Sequence, residues 1–170
     1  MSTMAITASD VNKLRQMTGA GMMDCKSALT EANGDFDAAV DILRKKGQKV
    51  AAKRADREAN EGYVVAKTNA DGTRGVLVAV NCETDFVAKN ADFVGMAERI
   101  VDIALEKGAS TIEDLKALPF DQNGLSIAEK LVEQTGVIGE KIDVGTCEAI
   151  EATHVYAYNH PGNKVASLVG

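Results

Sequence analysis

Five consecutive apolar residues, Val76-Leu77-Val78-Ala79-Val80, leave this chain little choice of fold around them. A short apolar run, rich in valine, reads as a buried strand. Gly62–Thr68 and Arg74–Val80 flank Asn69-Ala70-Asp71-Gly72-Thr73, a glycine-containing turn of hairpin length, so the run is one arm of a hairpin. After it comes Asn81-Cys82-Glu83-Thr84-Asp85-Phe86-Val87-Ala88-Lys89-Asn90, and from Ala91 an amphipathic helix is expected as far as Lys107. That helix presents Phe93, Met96 or Ala97, Ile100, Val101 and Ala104 on one face and stops at Gly108. An aromatic between a carboxylate and an amine therefore sits where a strand hands over to a helix, a junction that holds its loop between two rigid elements. On these residues alone Phe86 has two readings. It folds back into the core, the commoner fate of a phenylalanine, or it is presented to a partner.

Beyond Gly108, Ser110-Thr111-Ile112-Glu113 forms a capping box for a short helix reaching Leu118, and Pro119 forbids its continuation. Ser126-Ile127-Ala128-Glu129 opens another helix, expected to end at Gly136. Strands are expected within Lys141–Ala152 and Thr153–Tyr158, then a turn at Asn159–Asn163 and a strand from Lys164 to Val169. The chain stops inside that apolar run, which reads as a domain lacking its other half.

The first fifty residues follow a helical period instead. Thr7 or Ser9 caps a helix carrying Val11, Leu14 and Met17 or Thr18, and Thr18-Gly19-Ala20-Gly21 breaks it. A second helix places Met22, Cys25, Ala28, Leu29 and Ala32 on one stripe and ends at Asn33-Gly34. Asp35 caps a third, with Phe36, Ala39, Val40 and Leu43 inward and Gly47 as its stop. On this phase Met22 belongs to the core, whereas Met23 lies about 100° round beside Lys26 and Ser27 and suits an adaptable protein contact. The Gly19–Gly21 turn follows a helix and no lysine accompanies it, so it is not a phosphate loop.

Between the two patterns, Arg44–Arg57 carries seven positive charges against the single Asp56 in a chain of net charge −6. It reads as a solvated linker helix rather than an RNA-binding stripe, because no aromatics interleave with the charges. The overall negative charge argues against whole-chain binding to nucleic acid or anionic membranes. Cys25, Cys82 and Cys147 lack the spacing of a disulfide framework or a zinc site and read as free thiols of a cytoplasmic protein. No apolar run approaches a membrane span.

Catalytic chemistry is not in view. His154 and His160 are the only histidines, no serine or cysteine sits in a nucleophile elbow, and no carboxylates have metal-ligand spacing. Glu83 and Asp85 are two apart and point oppositely in an extended segment. No enzyme activity, cofactor or metal is expected.

Two long motifs carry a resemblance. Ile6-Thr7-Ala8-Ser9, Leu14-Arg15, Thr18–Lys26 and Ala28–Asp35 are similar to the start of bacterial elongation factor Ts proteins, and Asn81–Asn90 resembles the signature of that family's core. The resemblance implies a guanine-nucleotide exchange factor for elongation factor Tu. It implies a ubiquitin-associated-like helical module contacting the GTPase through Met22 and Met23 with Arg15 beside them. It also implies that Thr84, Asp85, Phe86 and Val87 enter near the magnesium and phosphate site. His160 matches a histidine of the second-core contact region, although the neighbouring Pro161 departs from the family pattern. With the resemblance in hand, a presented Phe86, at least partly exposed, becomes the expected reading. The alternative function is a ubiquitin-associated-type or RNA-binding adaptor using the first module and the basic connector.

The expected fold is α+β: a three-helix ubiquitin-associated-like bundle over 1–47, a basic helical linker over 48–60, and an antiparallel sheet with helices packed on one face over 61–151. The start of an incomplete second core subdomain is expected over 152–170.

Overall fold

The computed structural model describes residues 5–121 and 124–170. The chain forms two compact units: one comprises the chain up to Asp56 together with Val132–Glu140, the other Arg57–Leu131 with Lys141–Gly170. The architecture is α+β, as expected.

In the first unit α1 spans Ala8–Thr18, α2 Met22–Glu31 and α3 Phe36–Lys53. Thr7, not Ser9, caps α1: its hydroxyl accepts from the Asp10 N–H at 3.1 Å, and the Asp10 carboxylate accepts from the Thr7 N–H at 3.0 Å. Gly19 closes α1 in the left-handed conformation. Val11, Leu14, Cys25, Ala28, Leu29 and Ala39 form the buried core, with Phe36, Val40 and Leu43 packed against it. Of the pair Met17 and Thr18, the buried one is Thr18, whose hydroxyl donates to the Leu14 carbonyl at 2.8 Å and is thereby satisfied.

Gly47 does not stop the third helix, which runs on to Lys53. It is buried at a helix crossing. A Cβ on Gly47 would lie 3.1 Å from the Val132 carbonyl oxygen, and one on Gly136 only 2.5 Å from the Gly47 Cα. Both residues of the crossing belong to the first unit, and Gly136 lies inside α7 (Ile127–Ile138), which therefore also continues past its expected end. Two backbones this close leave no room for side chains, so these glycines mark contact rather than termination.

The second unit is built on the antiparallel sheet β1 (Glu61–Thr68), β2 (Arg74–Cys82) and β3 (Asp143–Glu151), with β2 central. The Asn69 side-chain oxygen accepts from the N–H groups of Thr73 and Arg74 at 3.0 and 3.2 Å and fixes the first hairpin. The register Tyr63↔Val80, Val65↔Val78 and Lys67↔Val76 puts these six residues on one face. Helix α5 (Ala91–Lys107) covers that face, burying Phe93, Met96, Ala97, Ile100, Val101 and Ala104, so Met96 and Ala97 both belong to the core. Tyr63 donates to Glu98 at 3.0 Å, and Lys67 bridges Glu98 and Asp102 at 3.0 and 2.7 Å.

The expected later strands appear as a hairpin of β4 (Tyr156–Asn159) and β5 (Ala166–Val169). It fastens to the free edge of β1 through two asparagines. The Asn159 side chain accepts from the Ala66 N–H and donates to its carbonyl at 2.8 and 2.9 Å, and the Asn163 carbonyl accepts from the Val64 N–H at 2.9 Å. On the sheet face opposite α5, a Cβ at Gly75 would meet Leu168 Cδ2 and Val155 Cγ1 at 2.8 Å each. A bare backbone at Gly75 is what lets the hairpin seat there. Along the chain between β2 and β3 lie the one-turn helix α4 (Asp85–Ala88) and α6 (Ile112–Ala117), whose cap is Thr111 rather than Ser110.

Candidate functional site

At the end of β2 the chain is pinned on three sides. The Asn81 amide donates to the Glu61 carbonyl at 3.2 Å, and the Cys82 thiol donates to the Thr84 carbonyl at 3.1 Å. The Glu83 carboxylate accepts from the Lys141 N–H at 2.9 Å. Glu83 is thus engaged by backbone.

Where a loop was expected, α4 makes a single helical turn. Thr84 caps it, its hydroxyl accepting from the Val87 N–H at 3.4 Å, and the Thr84 carbonyl accepts from the Ala88 N–H at 3.2 Å. Successive side chains of a helical turn diverge by about 100°. With Ala88 turned into the core and Val87 half-buried, Phe86 is therefore driven outward and is 83% exposed. Lys89 returns to Asp85 at 3.3 Å across the turn. Leaving a phenylalanine in water forgoes roughly 1.5–3 kcal/mol of burial free energy, so the backbone geometry overrides the side chain's own preference.

The hairpin turn carrying His160 also carries Lys164. The Lys164 ammonium is held above its ordinary range chiefly by its hydrogen bond and charge contact with Glu61, 2.8 Å away, and Asp85 adds to the effect. His160 itself is exposed, its Nδ1 2.9 Å from the Tyr158 hydroxyl. Its backbone closes the turn through bonds with Val165 and Asn163, which accommodates Pro161.

In the first unit Arg15 is exposed in the last turn of α1, and Met23 is 78% exposed. Met22 is not a core residue: it is 50% exposed, because it is the first residue of α2, ahead of the point where that helix joins the buried Cys25–Leu29 stripe. Met17, which the helical phase left interchangeable with Thr18, is 53% exposed on the other side of the same Gly19–Gly21 turn. Three exposed methionines thus flank one turn. The second unit holds a further exposed apolar surface on the β4–β5 hairpin, Tyr156 and Tyr158 with Val169 paired opposite Tyr156.

A family model described as elongation factor TS matches residues 83–170, more than half of the chain and all of it from the Phe86 turn onward. The elongation factor Ts of Christiangramia forsetii is 59% identical over 165 residues, covering 97% of this chain and 59% of its own. That of Flavobacterium johnsoniae is 58% identical over 168 residues, covering 99% and 50%, and that of Rhodopirellula baltica 51% identical over 164 residues, covering 96% and 49%. The chain belongs to the elongation factor Ts family. It spans between about half and three-fifths of the length of these elongation factor Ts relatives. Among the described residues no group of three or more metal-ligating side chains converges, and no helix is long and apolar enough to cross a membrane.

Proposed function

We propose that this chain acts in translation elongation as part of a guanine-nucleotide exchange factor for elongation factor Tu, in the cytoplasm and without bond chemistry of its own. In this reading residues 1–47 dock on the GTPase through Arg15, Met22 and Met23. Residues 48–60 link them to the core of 61–151, and 152–170 open the second core subdomain, with His160 in contact with the partner. Thr84, Asp85, Phe86 and Val87 approach the magnesium and phosphate site of the GTPase.

The observation that carries the reading is Phe86, 83% exposed on a capped, pinned helical turn in a chain of this family. Bound magnesium bridges nucleotide phosphates and protein ligands, so an aromatic wedge and a carboxylate inserted there weaken what holds the nucleotide. Reciprocity does the rest. A partner that binds the nucleotide-free GTPase better than the GDP form lowers GDP affinity by the same factor. A preorganised turn adds to this, since little ordering entropy is lost when the wedge goes in.

The test is release of fluorescent GDP from elongation factor Tu. The wild-type chain accelerates release, and Phe86→Ala lowers the acceleration by roughly 30-fold, the size expected for an anchor worth about 2 kcal/mol. Because the ring is already in water, the variant melts at the wild-type temperature. Normal exchange by a folded Phe86→Ala protein would refute the wedge.

A further inference from the structure

The Gly19–Gly21 turn carries a chemistry that docking does not use. Met17, Met22 and Met23 lie within seven consecutive residues and are 53, 50 and 78% exposed. Of the six methionines in the chain, Met96 is 6% exposed in the core beneath α5, and Met1 and Met4 fall outside the described residues. A thioether in water is open to oxygen-atom transfer, and the product is a polar, chiral sulfoxide in place of a flexible apolar group.

We propose that the Met17–Met23 turn is a methionine-oxidation site through which a hydroperoxide switches docking off. A sulfur lone pair attacks the distal oxygen of the hydroperoxide and the O–O bond breaks. The sulfur is oxidised by two electrons and gains one oxygen, and hydrogen peroxide is reduced to water. No proton leaves the methionine, and reduction of the sulfoxide by a thiol-dependent methionine sulfoxide reductase restores the thioether. The effect on docking rests on the function proposed above: a surface that binds by burying soft apolar side chains is asked, after oxidation, to bury sulfoxide oxygens that lack partners. Three such groups on one turn act together. The core stays intact because its own methionine is shielded, so the switch changes recognition without unfolding the protein.

The experiment treats the chain with hydrogen peroxide, maps sulfoxides by peptide mass spectrometry, and measures binding to GDP-loaded elongation factor Tu before treatment, after it, and after reductase. Oxidation is expected at Met17, Met22 and Met23 well ahead of Met96, with binding weakened roughly tenfold or more and restored by the reductase. A variant with all three replaced by leucine, whatever its own starting affinity, is expected to show no change on treatment. Oxidation of Met96 at the same rate, or unaltered binding by the triply oxidised chain, overturns the switch, as does equal loss in the leucine variant. An untreated chain that does not bind the GTPase refutes the docking role itself, and the mass spectra then report separately whether the turn is the preferred site of oxidation.

Discussion

Phe86 and the three cysteines show opposite uses of a single side chain. Phe86 is held out of the core by a turn whose neighbours, Thr84 and Ala88, are fixed by hydrogen bonding and burial, so its exposure is a property of the backbone. Cys25, Cys82 and Cys147 are all buried thiols outside any disulfide. Burial first, with Asp24 adding, pushes the Cys25 thiol up against the opposing Thr18 hydrogen bond. Burial followed by the Glu148 and Asp114 carboxylates pushes up Cys147. The fold therefore keeps the Cys25 and Cys147 thiols protonated at a pH where the unfolded chain, with ordinary thiols at about 8.5, has begun to ionise. Since the unfolded state then binds fewer protons, stability is level below that pH and falls as pH rises through it. Urea midpoints at pH 7, 8 and 9.5 are expected to show this, and replacing Cys25 and Cys147 by alanine is expected to flatten the decline. The native thiols are also expected to react with a chromogenic disulfide reagent only on unfolding.

At the scale of elements, the glycines divide by what surrounds them. Gly136 meets Gly47 backbone to backbone, so Gly136→Ala requires two helices to separate and is expected to cost about 1–3 kcal/mol. Gly95 lies exposed in the middle of α5 with nothing within 4 Å of a new Cβ. Gly95→Ala is expected to stabilise by about 0.5–1 kcal/mol through helix propensity alone. Thermal denaturation of the two variants should shift in opposite directions, and a fall for both would contradict the open surroundings of Gly95. The β4–β5 hairpin obeys the same logic: it seats on the sheet because Gly75 has no side chain and because Asn159 and Asn163 supply the partners that the β1 edge lacks.

Across the whole molecule, the chain leaves the first unit at Asp56 and returns to it with Val132–Glu140. Arg54–Arg57 lies past the last turn of α3 and before β1, and is rich in tryptic sites. Limited trypsin is expected to cut there first. The two pieces should nevertheless co-elute in gel filtration and separate only in denaturant, because α7 carries its C-terminal half into the first unit and the Gly47–Gly136 crossing holds it. Immediate separation after the cut would mean that the crossing is too weak to hold the first unit together.

Much of this was legible in the residues alone. The hairpin, the span of α5, the Ser126–Glu129 capping box and the position of the Phe86 turn follow from periodicity, caps and turn residues, signals that act between neighbours three or four positions apart. The family motifs likewise run along the chain and need no fold to be read. Other features waited for the tertiary structure. Gly47 and Gly136 look like stops until each finds the other far along the chain, Met22 fits the core stripe until its place at the open start of α2 is known, and Met17 and Thr18 differ only in which one meets a neighbour. In each case local geometry permits both outcomes, and the free energy that chooses between them comes from contacts between segments distant in sequence.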